Sequence, residues 1–285
     1  MITTAHEMAQ PDAVEEFDGI ELNLHRPQSA RVEDYLLGGI GNFPADREEV
    51  GLLWGWEPGA RRAALQRKAF RKAVLAWIGS CGPMQILDLG CGLPLPHWWG
   101  RAMPGSVHHR LLGEVHELAA PGSRVVYVDR DPIVMSHARA LLRGNGTSEV
   151  RHVRADLAEV GAVLGSGLIS SGEPVALTLF DVLHEVEVAR RVVTAYTEVA
   201  APGSLLAISH RSLDHVRDSW RVLGRTAMQL PFFARSREEF TALFDGWELL
   251  GPGVVPVQRW SASRAPGNLR LARAAGAYGA VARKR

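Results

Sequence analysis

From residue 84 onward, short apolar runs alternate with stretches of helical period. The runs MQILDLG (84–90), RVVYVD (124–129), EVRHVRAD (149–156), PVALTLFDVL (174–183) and GSLLAISH (203–210) are rich in β-branched and aliphatic residues and predict buried strands. Between them, PIVMSHARALLR (132–143) and VEVARRVVTAYTEVA (186–200) predict helices. SREEFTALFDG adds a helix capped by Ser236 with Glu239 three residues on. WELLGPGVVPVQRW (247–260) and AYGAVARKR (277–285) predict the last two strands. Strands alternating with helices imply an α/β fold: parallel pairing, right-handed crossovers and an open sheet between two helical layers.

The first part of the chain has a different texture. Residues 1–22 are polar and acidic without a clear period and predict a loosely held arm. A helical extension over 23–80 follows. Within it a helix from Ser29 to Leu37 is stopped by Gly38-Gly39, and another opens near Asp46. Over 60–79, Phe70, Ala73, Val74 and Trp77 share one face of an amphipathic helix. Arg61, Arg62, Arg67, Lys68, Arg71 and Lys72 fall around the other side and predict a solvated face rather than a nucleic-acid patch. Residues 81–285 form the α/β domain.

Composition narrows the class. The chain has 285 residues, 46% of them hydrophobic and 22% charged, as in an ordinary globular protein. A net charge of +1 gives no reason to expect nucleic acid or another polyanion as partner. Nothing approaches the roughly 18 consecutive apolar residues of a membrane span, and the first residues lack the basic and apolar regions of a signal peptide. Cys81 and Cys91 form neither a CxxC pair nor half of a zinc site, so reduced thiols in a cytoplasmic protein are expected. The expected partner is a small-molecule substrate; the oligomeric state is left open, a homodimer among the options.

The segment ILDLGCG (86–92) carries the most chemistry. A strand runs into Asp88-x-Gly90-x-Gly92, where glycines permit a tight turn and let a ligand approach the backbone. A dinucleotide site would want a third glycine where Leu95 stands, and Asp88 suits a cationic ligand better than a pyrophosphate. Asp129 ends the second strand, where a carboxylate can hold both ribose hydroxyls. Asp156 and Leu157 follow the third strand, where a side-chain acceptor and a backbone N–H could read an adenine edge. Phe180-Asp181-Val182-Leu183-His184 ends the fourth, near the expected reaction site. One strand-end aspartate is often only a helix cap; four such signals in this order are more specific.

These residues resemble a bacterial S-adenosyl methyltransferase family marked by an N-terminal ARVYDYLLGGxxNFxADRE motif. Residues 30–48 read ARVEDYLLGGIGNFPADRE, and QILDLGCGLP, RVVYVDRDPIVMSHARALL, VLHEV, APGSLLAISH, PGVVPVQRW and YGAVARKR are similar to further blocks of it. The likeness covers roughly residues 23–285. It implies a Rossmann-like class I methyltransferase fold, with a seven-stranded, mostly parallel sheet whose last strand is antiparallel. S-adenosyl-L-methionine would lie across the strand ends, with Asp88, Gly90 and Gly92 at its methionine part. Asp129 would hold the ribose with Arg130 beside it, Asp156 and Leu157 would meet the adenine, and Phe180 would line the site. Tyr35, Gly38, Asn42 and Phe43 would fold over it as a lid. The implied activity is methyl transfer to a small organic acceptor, expected to be a secondary metabolite. His184, Glu185 and His210 at the strand ends, Asp46 in the lid and Glu114 near the insertion are the candidates for acid–base roles.

Departures from the family pattern bear on the site. Gly92 and Asp129 are 37 positions apart, against about 20 in the usual glycine-loop-to-acid spacing. The excess is an insertion at about 95–114, whose Trp98 and Trp99 offer flat apolar area for a substrate. Ile40-Gly41 replaces a charged pair, and Glu33 stands where tyrosine is usual. His97, His108, His109 and His116 crowd the insertion without a metal-ligand spacing, and His184-Glu185 fails as HExxH because Val188 takes the second histidine's place; no metal is expected. An alternative is the same fold turned to non-methylating chemistry such as cyclisation in natural-product biosynthesis, with Asp46, Glu114 and His184 as acids or bases. A cofactor-binding sensor without turnover is a third.

Overall fold

The computed structural model describes residues 15–17, 20–94, 113–144, 146–214, 229–260 and 276–285. Trp98 and Trp99, and most of the 95–114 insertion with His97, His108 and His109, lie outside them.

Within the stretch expected to be a loose arm, β1 (Glu15–Phe17) pairs antiparallel with β2 (Ile20–Leu22). Helix α1 spans Ser29–Leu37 and ends at Gly38, whose φ of 82° is the left-handed cap a glycine adopts cheaply. Helix α2 (Pro44–Trp56) opens with proline in its first turn, and α3 spans Ala60–Ser80. The α/β unit then runs β3 (Gln85–Leu89), α4 (Val115–Leu118), β4 (Arg124–Asp129), α5 (Pro132–Leu141), β5 (Glu149–Arg154), α6 (Val160–Leu164), β6 (Val175–Phe180), α7 (Ala189–Val199), β7 (Leu205–Arg211), α8 (Arg237–Thr241), β8 (Trp247–Leu249), β9 (Val255–Pro256) and β10 (Ala277–Lys284).

The sheet order is β5-β4-β3-β6-β7-β10-β8, with β9 also pairing β10. The first five strands are mutually parallel, and β10 lies antiparallel between β7 and β8. The seven-strand expectation is therefore met along the main path, with β9 as an eighth, two-residue strand. The stretch 247–260, read as one strand, is broken: Gly251 and Gly253 take φ of 61° and 69° and turn the chain, and residues after β9 coil into a 3₁₀ turn. The run 174–183 ends as a strand at Phe180 because Asp181, at φ 53°, bends the chain out of the sheet.

Strand alternation sorts the core into two layers. Leu87, Leu89, Val126, Val128, Leu177, Leu179, Leu206 and Ile208 pack with α7 and the Phe240–Phe244 region. Ile86, Val125, Tyr127, Ala176, Leu205 and Ala207 pack with Phe70, Val74, Leu75 and Ile78 of α3. The face expected for α3 is rotated: Ala73 is exposed, while Arg67 and Arg71 are buried at 3% and 9% exposure on the stripe of Phe70 and Val74. A third cluster, with Val32, Leu36, Leu37, Val50 and Leu53, seats the α1–α2 hairpin on the start of α3. No helix of the described residues is long and apolar enough to cross a membrane.

Candidate active site

The loops at the carboxyl ends of β3 to β6, together with Arg211 at the end of β7, border a cavity that α1, α3 and residues 230–232 wall in from outside. This is where open α/β sheets bind ligands.

Parallel register sets Asp88 beside Thr178 on β6 and Tyr127 on β4, and alternation turns it toward α3. Thr178 Oγ1 donates to Asp88 Oδ1 at 2.6 Å, and Arg71 donates to Oδ2 at 3.3 Å. The same guanidinium reaches Glu114 at 3.2 Å. Asp88, expected as an open anion, is thus already neutralised by a buried arginine that sequence reasoning put in solvent. Burial alone would lower the Arg71 pKa, but Glu114 and Asp88 outweigh it and hold the group charged. Glu114 does not line the cavity; it meets the site through its ion pair with Arg71.

The loop after β3 must be glycine at Gly90. Its φ is 70°, and a Cβ there would stand 2.5 Å from Val182 Cγ2. Gly92, at φ 69°, donates its N–H to Asp129 Oδ2 at 3.1 Å, while Asp131 donates to Oδ1 at 3.0 Å. Each carboxylate oxygen accepts more than one bond, so capacity remains on Asp129 for a diol. Burial pushes its pKa up to about 6, the two backbone N–H groups offsetting only part of the cost. Asp156 and Leu157 also border the cavity. Asp156 accepts from Ala158 N–H and from Arg130, and Tyr196 donates to the Leu157 carbonyl at 2.9 Å, tethering that loop to α7. Arg130 further reaches Glu185 at 3.5 Å.

The expected lid contacts need correction. Tyr35, Gly38, Asn42 and Phe43 do not line the cavity. On a helix, Ser29, Glu33 and Leu36 share one stripe, and these residues with Ala30 face inward; Tyr35 points elsewhere and meets Trp54 at 6.1 Å. Asn42 donates to Asp34, and Phe43 packs under the Arg31 guanidinium. Asp46 does not line the cavity either. Fully buried, it accepts from the backbone N–H of Gln28 at 2.9 Å and of Phe43 at 2.8 Å and pairs with Arg31 at 3.3 Å, which fixes the start of α1 to that of α2.

Beyond the glycine loop, Arg67 lies 2.8 Å from Glu33 on α1 and 3.2 Å from Asp181 after β6. All three line the cavity, together with Phe180, His184, Glu185, Arg211 and Phe232. Burial raises the Asp181 pKa, and Arg67 only partly offsets it because its shorter contact is with Glu33. Burial would also raise Glu33, but Arg67, Lys68 and Arg211 outweigh it and the net direction is down. Burial, with Arg211, His210 and Arg67 nearby, holds His184 neutral well below the usual histidine range. Glu185 is buried with a raised pKa, and Ser29 bonds its side chain. His210 does not reach the cavity: burial, reinforced by Arg235, lowers its pKa to about 3, and Arg235 donates to its Nε2 at 2.8 Å. Among the described residues no group of three or more histidine, cysteine, aspartate or glutamate side chains is arranged to hold a metal ion. His116 bonds Tyr127 instead.

Arg67 and Arg71 escaped sequence reasoning as site residues, and Glu33 stood out only as a departure from the family pattern. Their signal was periodic: Arg67 and Arg71 stand one turn apart, three residues from Phe70 and Val74, on a stripe that must be buried.

Sheet order, glycine turn and strand-end acids define a Rossmann-like methyltransferase fold. The cavity fits S-adenosylmethionine: bare backbone at Gly92, where a Cβ would meet nothing nearer than Ala30 at 3.9 Å, spare acceptor capacity at Asp129, and charges of both signs at Asp88 and Arg71 for an amino-acid head group. The chain belongs to the S-adenosyl methyltransferase family, which it matches over residues 16–285, and its cofactor is S-adenosylmethionine. Among solved structures, it is similar to a DUF574 family protein from Streptomyces avermitilis MA-4680, with 28% identity, TM-score 0.78, and 92% of this chain and 99% of that one covered. It is also similar to a protein of Thermobifida fusca YX to which methyltransferase activity is ascribed, with 30% identity, TM-score 0.75, and coverage of 92% and 97%. No curated protein matches the chain.

Proposed function

We propose that this protein transfers a methyl group from S-adenosylmethionine to a small organic acceptor. One observation carries this reading: the glycine loop, Asp129 and the Asp156–Leu157 turn border the same cavity as Asp181, His184 and Phe232, so a cofactor and a second molecule can share it. Bound S-adenosylmethionine supplies an electrophilic methyl group. The chain's own residues hold and align. Asp129 accepts the ribose hydroxyls, Asp156 and Leu157 face the adenine, and Arg71 with Asp88 meets the carboxylate and ammonium of the methionine part. Phe180 and Phe232 give the acceptor apolar walls that exclude water. Among the five acid–base candidates only His184 and Glu185 border the cavity. A neutral imidazole at His184 can orient an acceptor's hydrogen without carrying charge into the pocket.

The test is transfer of labelled methyl from S-adenosylmethionine to a panel of small nucleophiles, with S-adenosylhomocysteine binding measured alongside. Labelled product is expected. Intact binding with no transfer to any acceptor would count against methyl transfer, and turnover that survives cofactor removal would favour the cyclisation alternative.

A further inference from the structure

Glu33, Arg67 and Asp181 form more than a strut between α1, α3 and β6. Two carboxylates share one guanidinium, at 2.8 and 3.2 Å, with Lys68 bordering the same cavity on the Glu33 side. In each carboxylate one oxygen faces Arg67, while the other, Glu33 Oε1 or Asp181 Oδ1, is buried without a partner in hydrogen-bond geometry. The Ser209 hydroxyl lies near the Asp181 carboxyl, and Arg67 Nε is likewise out of hydrogen-bond geometry. His184, 6% exposed and lining the same cavity, has an unpartnered Nδ1. Buried acceptors are almost always satisfied in folded proteins, so a cavity edged by the two carboxylate oxygens points to a missing donor, with a histidine nitrogen beside them that can give or accept a hydrogen bond according to its tautomer. Backbone strain marks the same spot: Asp181 is the sole non-glycine residue with positive φ among the described residues, at 53°, and its N–H is pinned to Ser209. Such outliers cluster at ligand sites.

We propose that the methyl acceptor is an amine on an apolar or aromatic frame, its nitrogen received by Glu33 and Asp181. This deepens the methyltransferase reading and rests on it. An N–H-rich, basic group answers two partnerless acceptors on two carboxylates that share one guanidinium, where a hydroxyl offers one hydrogen and no charge and a carboxylate brings no donor. Phe180 and Phe232 flank the apolar frame. Lys68 and Arg211 also border the cavity; Arg211 is paired with Glu57 at 3.4 Å and stacks on Phe232. The bound ammonium first gives one proton to Asp181, whose burial raises its proton affinity. The lone pair so freed then forms the nitrogen–carbon bond as the sulfur–methyl bond breaks and the sulfur keeps that electron pair, leaving an N-methylammonium product.

The experiment is calorimetric titration of the protein saturated with S-adenosylhomocysteine, using benzylamine, phenethylamine and tryptamine against their matched alcohols and carboxylic acids. At least one amine is expected to bind about tenfold or more tighter than its alcohol, the scale of one charge-assisted hydrogen bond. In Asp181→Asn and Glu33→Gln that preference should fall to about onefold, with S-adenosylhomocysteine affinity unchanged. Saturation by S-adenosylhomocysteine without amine binding, or with alcohols or acids preferred, overturns the amine assignment alone. Amine preference that persists in both variants overturns the assignment to these two carboxylates. Failure of S-adenosylhomocysteine itself to bind would instead sink the underlying methyltransferase reading. The comparison in the unaltered protein stands even if a variant does not fold.

Discussion

Acidification from pH 7 to pH 5 should weaken S-adenosylhomocysteine binding by about tenfold through Asp129. In the ligand-free protein this carboxyl titrates at about 6, raised by burial. A ribose diol donates to the carboxylate and cannot donate to both oxygens once a proton sits there, so the ligand selects the ionised form. The apparent dissociation constant then scales as 1 + 10^(pKa − pH), which is about 1.1 at pH 7 and about 11 at pH 5. The ligand's α-amine, beside its own carboxylate, titrates above the α-amino value of a peptide and stays protonated between pH 5 and 7. Arg130 and Asp131 are the charged neighbours, and neither enters the comparison with Asp129→Asn, which keeps both.

The same group acts oppositely on the stability of the free protein. Its folded pKa lies above its unfolded value, so its favourable contribution is complete below about pH 4 and lost as pH rises through 6. That amounts to about 3 kcal/mol for a shift of about two units on a side chain only 7% exposed. Calorimetry at pH 5, 6, 7 and 8 reads the first effect, and urea unfolding over the same range reads the second. Asp181 and Glu185 also have raised values, which is why the variant matters: in Asp129→Asn binding should be weak and nearly flat with pH. A flat profile in the unaltered protein, or an undiminished slope in the variant, would refute the reasoning.

Other expectations are as direct. Gly90→Ala must hold alanine at a left-handed φ and press its Cβ on Val182; a loss of about 2 kcal/mol or more and of S-adenosylhomocysteine binding should appear together in thermal and calorimetric titrations. Arg71→Met strands two carboxylates, Asp88 and Glu114, and should cost about 3–5 kcal/mol in urea unfolding. Tyr196→Phe removes one hydrogen bond to the Leu157 carbonyl and should cost about 1 kcal/mol, with weaker binding of adenosine measured by competition. Asp46→Asn should lower the melting temperature yet leave the pH dependence of any methyl transfer unchanged; a shifted pH profile would return Asp46 to the chemistry.

The fold was legible in the sequence because burial on both faces writes strands as apolar runs. β3, β4 and β6 are nearly continuous in buried residues, and each run maps onto a strand. Gly38, Gly90 and Gly92 were readable for a related reason, since a left-handed turn leaves few alternatives to glycine. The strand-end acids stood out by position, and Asp129, Asp156 and Asp181 do border one cavity. What stayed hidden depends on tertiary pairing. Arg67 and Arg71 look like solvent residues until Glu33, Asp181, Asp88 and Glu114 arrive from other elements to neutralise them. Tyr35 looks like a lid residue until the rotation of α1 turns it to Trp54. Asp46 and His210 carry reactive groups, but neither borders the cavity, and they bond Gln28 and Phe43 and Arg235 instead. A motif shows which residues meet at a site; only packing shows which of them face the ligand.

A crystal structure of the protein with S-adenosylhomocysteine bound tests the central claim most directly. The ribose should sit on Asp129, the adenine at Asp156 and Leu157 and the methionine part between Asp88 and Arg71, with the sulfur directed toward Asp181 and Glu33. The ligand lodged elsewhere, or bound with Asp129 untouched, would contradict the account.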